Sequence, residues 1–110
     1  ASTKIPEMAK TYDLEQRCYE FARDVRVFIR RSKLDIPNSE DSRQLTRSSG
    51  AVGANYIEGN EGLSKKDSLK YFRISRKEAK ESGYWLRLIE TFNDSSLQNE
   101  RDKLVGESQN

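Results

Sequence analysis

The sequence predicts an all-α fold, an antiparallel up-down four-helix bundle with a short or truncated fourth helix. Three observations predict it. Apolar residues recur at spacings of three and four over most of the 110 residues, the period of one helical face. The breaks between periodic stretches are short and carry Pro, Asn, Asp or Gly. The one β-favouring stretch, Val25 to Ile29, continues a helical period rather than starting a strand. Length and the absence of repeats or low-complexity segments give one domain over residues 1–110.

The first helix is expected over about residues 14–32. Asp13 with Gln16 resembles a capping box, and Leu14, Cys18, Phe21, Val25 and Phe28 then follow the heptad-like spacing of a packed seam. Pro37 and Asn38 mark a break, with Asn38 or Ser39 capping a second helix over 39–58. Gly59 and Gly62 punctuate the next turn. Ser64 caps the third helix, with Asp67 in third position, and the seam Tyr71, Ser75, Glu78, Ser82, Trp85, Ile89 and Phe92 carries it over 65–93. Asp94 to Ser96 form a turn, and Leu97, Leu104 and Val105 sketch a fourth helix over 96–107.

The second helix is the most informative. Six of the seven residues from Ser48 to Ala54 are Ser, Gly or Ala, a composition common in loops. Leu45, Ser49, Val52 and Tyr56 nevertheless keep helical spacing with no intervening proline. In a helix, Gly50 and Gly53 each cost about 1 kcal/mol relative to Ala, which close backbone packing would offset. Arg47, Ala51, Ala54 and Glu58 form a second face about half a turn away, smooth in the middle and charged at its ends. Two readings of that face stay open: packing against a neighbouring helix or subunit, as at an oligomer interface, and an ordinary solvated surface.

Composition limits the function classes. Hydrophobic residues are 34%, about 40% with glycine, below the usual 45–50%, so the core is small and subunit contacts are expected. Twenty basic and eighteen acidic residues leave a net charge of only +2; distribution matters more than total. Cys18 is the single cysteine and histidine is absent, which removes intramolecular disulfides, multi-cysteine zinc sites, His-ligated metals and Ser-His or Cys-His nucleophiles. No cofactor or metal is expected. Neither the opening ASTKIPEMAK nor any later run resembles a signal peptide or membrane span, so a soluble cytoplasmic chain is expected.

The sharpest charge pattern lies on the third helix. At 100° per residue, Lys65, Lys66, Lys70, Arg73, Arg76, Lys77, Lys80 and Arg87 fall within an arc of about 140°. Asp67, Glu78 and Glu81 lie outside it, and residues 65–87 carry a net +5 from eight cations and three acids. Such a stripe suits a phosphate backbone; the alternative is a solvated face. Arg23, Arg26 and Arg30 are a candidate second patch. Only Tyr84 interleaves the stripe, so base stacking is expected to be minor. Glu78 falls in the predicted seam, where a carboxylate must be paired, with Arg47 or Asn55 as candidate partner and Asn55 as a second buried polar residue. Glu78→Ala is then expected to cost roughly 2–4 kcal/mol, and Glu81→Ala about 0.5 kcal/mol. A catalytic role for Glu78 lacks a second acid, metal set or nucleophile, so no enzyme is expected. The spelling of a GXXG loop at Gly50 to Gly53 is better explained by packing.

RSSGAVGANYIEGNE at Arg47 to Glu61, SKKD at Ser64 to Asp67, RKEAKES at Arg76 to Ser82 and the following Tyr84-Trp85-Leu86 resemble the bacterial four-helix-bundle proteins encoded in intervening sequences of 23S ribosomal RNA genes. The resemblance implies an antiparallel bundle, often a ring-like homopentamer, without known enzymatic activity. That family is also similar to the accessory proteins of diversity-generating retroelements, basic pentamers that engage nucleic acid. Two functions remain: a non-catalytic oligomer binding RNA or DNA through its basic face, and a structural or adaptor oligomer binding an acidic protein partner.

Overall fold

The computed structural model describes the backbone of residues 7–110 and side chains from Asp13 onward; the first residues of the segment read as lacking a signal peptide lie outside the described residues. Four helices follow one another, α1 (Glu7–Arg31), α2 (Ile36–Asn60), α3 (Lys65–Leu88) and α4 (Ser95–Ser108). Short turns make sequence neighbours antiparallel. Each helix packs against two others, α2 on α1 and α3, α4 on α3 and α1, and the diagonal pairs do not approach. The extents of 51 × 32 × 18 Å describe an elongated slab two helix diameters thick at its thinnest. Among the described residues, no helix is long and apolar enough to cross a membrane.

Three helix starts follow from local chemistry. Asp35, Ser64 and Asp94 are N-caps, their side chains accepting from the N–H groups of Asn38 at 2.9 Å, Asp67 at 3.1 Å and Leu97 at 3.0 Å. The Ser64 cap is as predicted. α2 starts earlier than expected because Asp35 caps it, with Ile36 and Pro37 in the first turn, where a missing N–H costs nothing. The Asp13–Gln16 capping box does not exist: α1 continues upstream to Glu7, one residue after Pro6, and Gln16 donates to Glu20 instead. Gly59 is not in a turn but buried within α2, where a Cβ would stand 2.3 Å from the Phe72 ring. Gly53 marks the close approach of α1, its Cβ position lying 3.2 Å from that of Cys18, whereas at Gly50 a Cβ would meet only the flexible end of Arg26. Close packing therefore accounts for Gly53 and not for Gly50.

α3 ends at Leu88, four residues before the last member of the predicted seam, Phe92. Ile89 turns into extended backbone yet stays buried, so its apolar spacing survives the end of the helix. Asn38 fixes this exit. Its buried side chain donates to the carbonyls of Lys33 at 2.8 Å and Glu90 at 2.9 Å and accepts from the Glu90 N–H at 2.9 Å, tying the α1–α2 turn to the α3–α4 turn.

The core is small and polar for its size. Phe21, Val25 and Phe28 of α1 meet Leu45 and Val52 of α2, Leu86 and Ile89 of the α3 end, and Leu97 and Leu104 of α4. Nearly as many polar side chains are buried, most of them serines. Ser48 and Ser82 share a hydrogen bond of 2.8 Å between α2 and α3, and Ser75 donates to the Val52 carbonyl at 2.7 Å. Gly83 lets α4 close on α3 at Ser108, and Arg31 pairs with Glu100 and donates to Ser96 to hold α4 against α1.

Asn38→Ala should destabilise by about 2–3 kcal/mol, because it strands buried backbone groups in two turns. Ser42→Ala should change stability by no more than about 0.5 kcal/mol, since the buried Ser42 hydroxyl has no partner among the described residues. Urea unfolding midpoints of the two variants measure the difference.

Candidate nucleic-acid interface

All eight cations of the predicted stripe, Lys65, Lys66, Lys70, Arg73, Arg76, Lys77, Lys80 and Arg87, are exposed on α3. Among the described residues none of the eight enters an ion pair; Lys70 lies 5.5 Å from the centroid of the Tyr71 ring. From Lys65 to Arg87 the helix rises about 33 Å, close to one turn of B-form DNA at about 34 Å.

The acids of α3 are drawn away from this face. Asp67 sits in the first turn of α3, where the helix dipole favours a carboxylate. Glu78 and Glu81 both turn to Arg47 of α2: one Arg47 nitrogen lies 3.4 Å from Glu78, and a second contacts Glu81. Glu81 also accepts from the Trp85 indole at 3.2 Å. Hydrogen bonding to Glu78 is the largest cause holding the Arg47 pKa above its ordinary value, with burial opposing.

The placement of Glu78 corrects the predicted seam. Ser75, Ser82 and Leu86 are buried and Ala79 and the half-buried Trp85 pack against the core, while Glu78 lies on the flank toward Arg47 of α2. The Glu78 side chain is 17% exposed and its partner Arg47 is 52% exposed. The pair is partly open to water, and strict 4-3 spacing along α3 places Glu78 one residue away from the core-facing Ala79. Asn55 is also only half-buried, and its amide donates to Ala51 of its own helix at 2.9 Å, so Arg47 is the Glu78 partner.

The second patch on α1 is dispersed. Arg23 pairs with Asp24 at 3.2 Å. Arg26 donates to the carbonyls of Ala22 at 2.9 Å and Thr46 at 3.3 Å and to the Ser49 hydroxyl at 3.4 Å, stitching α1 to α2. Arg30 is left exposed. Sequence spacing puts Arg26 on an outer face; it could not reveal the close α1–α2 approach at Gly53 that brings its guanidinium to α2.

A groove of about 460 Å³ runs between α1 and α2, with Cys18, Ala22, Gly53 and Ala54 among its walls and Tyr19, Ile57 and the three arginines along it. Burial pushes the Cys18 thiol pKa up. Of the predicted interface residues, Ala54 lines this groove, Ala51 is half-exposed, Glu58 is exposed and Arg47 is engaged by α3. A second cavity of about 450 Å³ opens between α1 and α4 where the 14-residue α4 faces the 25-residue α1. Among the described residues no group of three or more His, Cys, Asp or Glu is placed to hold a metal ion.

A family model described as 23S rRNA-intervening sequence protein matches residues 10–107. The chain belongs to that family. Among solved structures, this intervening-sequence protein is similar to one from Bacteroides thetaiotaomicron VPI-5482, described as a protein with unknown function from the S23 ribosomal protein family. The TM-score is 0.61 and the identity 27%, over 90% of this chain and 94% of that one. No curated protein matches the sequence.

Glu78→Ala and Glu81→Ala should each cost less than about 1 kcal/mol, because a half-exposed pair is largely screened and Arg47 keeps the other acid. The double substitution should cost more than the sum of the two, since Arg47 then loses both carboxylates. Chemical denaturation of the three variants measures the coupling; a Glu78→Ala cost of several kcal/mol would restore the buried-seam placement.

Proposed function

We propose that this protein is a non-catalytic, cytoplasmic homo-oligomer that binds RNA or DNA through the outer face of α3. The observation that carries the proposal is the one-sided array of eight exposed cations from Lys65 to Arg87, none in an ion pair among the described residues, with Glu78 and Glu81 held on Arg47 at its flank. A solvated helix face normally mixes both signs of charge, and this one does not. Phosphates at regular intervals neutralise such an array with release of counterions, without base-specific readout.

Oligomerisation is supported by the small apolar core and the smooth α1–α2 groove with its exposed Tyr19 and Ile57. An apolar surface of this kind is a common mark of an association site. The family resemblance points to five subunits. Repeating the α3 face around a ring multiplies phosphate contacts, so avidity would compensate for a modest affinity of each protomer.

Changing Lys70, Arg73, Lys77 and Lys80 to Gln should flatten the slope of log affinity against log salt by about three units, with helicity intact, because each phosphate contact contributes about −0.7 to −0.9. Anisotropy titrations from about 50 mM salt upward measure this. An unchanged slope, or no binding by the parent at the lowest salt, would leave α3 as a solvated face and favour an adaptor that binds an acidic protein. Light scattering after size exclusion tests assembly: the parent should run as an oligomer and Ala51→Arg with Ala54→Arg as a monomer. A monomeric parent at micromolar concentration removes the oligomer from the proposal.

A further inference from the structure

The α3–α4 turn keeps a large aromatic side chain out of the core by means of an unusual backbone. Phe92 and Asn93 have φ of 52° and 61°, the left-handed region that bulky residues rarely enter. Such conformations persist where the surroundings over-determine them, and they cluster at binding sites. Here the surroundings are rigid. Ile89 and Thr91 are buried, Asn38 holds both backbone groups of Glu90, and the Glu90 carboxylate accepts from the Phe92 N–H at 2.8 Å.

Phe92, held by that turn, is 45% exposed. The Lys33 ammonium lies over one face of the ring, 5.1 Å from its centroid. The ring follows the end of α3, four residues past Leu88 and five past Arg87, the last cation of the stripe. Tyr84, also exposed, falls within the angular range of the same cations. An exposed aromatic ring with a cation over one face, close in sequence to the end of the cationic stripe, is the element that sites for single strands add to electrostatics: a surface on which an unpaired base stacks. A duplex presents phosphates to α3 but keeps its bases inside.

We infer that Phe92 is a base-stacking platform and that the nucleic acid this protein selects contains an unpaired segment, with one base on the face of the Phe92 ring that Lys33 does not cover and an adjoining phosphate at Lys33. The inference rests on the proposed phosphate-binding role of α3. It revises the expectation that stacking is minor, because the periodicity of α3 assigned Phe92 to the core.

The test uses the full-length protein, a fluorescein-labelled single-stranded oligonucleotide and the matching duplex, at about 50 mM salt. Phe92→Asn removes the ring while suiting the left-handed backbone; Phe92→Tyr keeps the ring. Phe92→Asn should weaken single-strand binding by about tenfold, leave duplex binding unchanged and retain helicity by circular dichroism, while Phe92→Tyr should bind like the parent. Unchanged single-strand affinity in Phe92→Asn overturns the inference. Equal loss for single strand and duplex also overturns it, as a structural effect. Binding of duplex alone by the parent overturns it while leaving the α3 reading in place, whereas a parent that binds neither removes both.

Discussion

The serine contacts between α2 and α3 are the constraint on which the other features depend. Ser48 meets Ser82 hydroxyl to hydroxyl, and Ser75 donates to the Val52 carbonyl. Side chains this small leave room for the two backbones to approach, and their hydroxyls are satisfied within the seam instead of being stranded. That packing fixes the rotation of α3 about its axis. With Ser75, Ser82 and Leu86 inward, Glu78 and Glu81 must lie beside α2, where Arg47 takes both, and the eight cations must lie outside. The polar seam and the cationic face are two consequences of one helix orientation.

A bundle held by serines has little apolar surface to lose, which explains its reliance on discrete polar ties. Asn38 joins the two turns at one end, Arg26 stitches α1 to α2, and Arg31 with Glu100 closes α4 on α1. Each substitutes directional bonding for the hydrophobic burial that a larger core would supply. The short α4 leaves the α1 side less covered than the α2–α3 side, and the two grooves lie along α1. The α1–α2 groove lies away from the cationic face of α3, so the proposed self-association need not cover the proposed phosphate-binding face.

Much of this was legible in the sequence, and the misses share a physical cause. The Ser64 cap, the inward face of Leu45, Ser49 and Val52, and the exposed cations of α3 all depend on local periodicity and capping chemistry, which a single helix expresses by itself. The position of Glu78, the end of α3 and the role of Asn38 depend on a neighbouring element. A one-residue drift in the seam turned a half-open ion pair into an expected buried charge. Ile89 keeps its place in the apolar pattern after the helix has ended, which hid the turn and made Phe92 read as core. Asn38 read as a helix cap because that is what asparagine beside proline commonly does, and its bonds to Glu90 span 52 positions of sequence. The Asp13 box failed because a local capping pattern was outweighed by helix-compatible residues upstream.

Photochemical cross-linking of the assembled protein to single-stranded RNA, followed by peptide mapping, tests the central claim most directly, because it reads which face of the bundle meets nucleic acid without altering any residue. If the serine seam turns a phosphate-binding face outward, adducts will concentrate on peptides from residues 65–92 and will fade as salt rises. Adducts concentrated along α1 and the α1–α2 groove, or spread evenly over the surface and insensitive to salt, would contradict it.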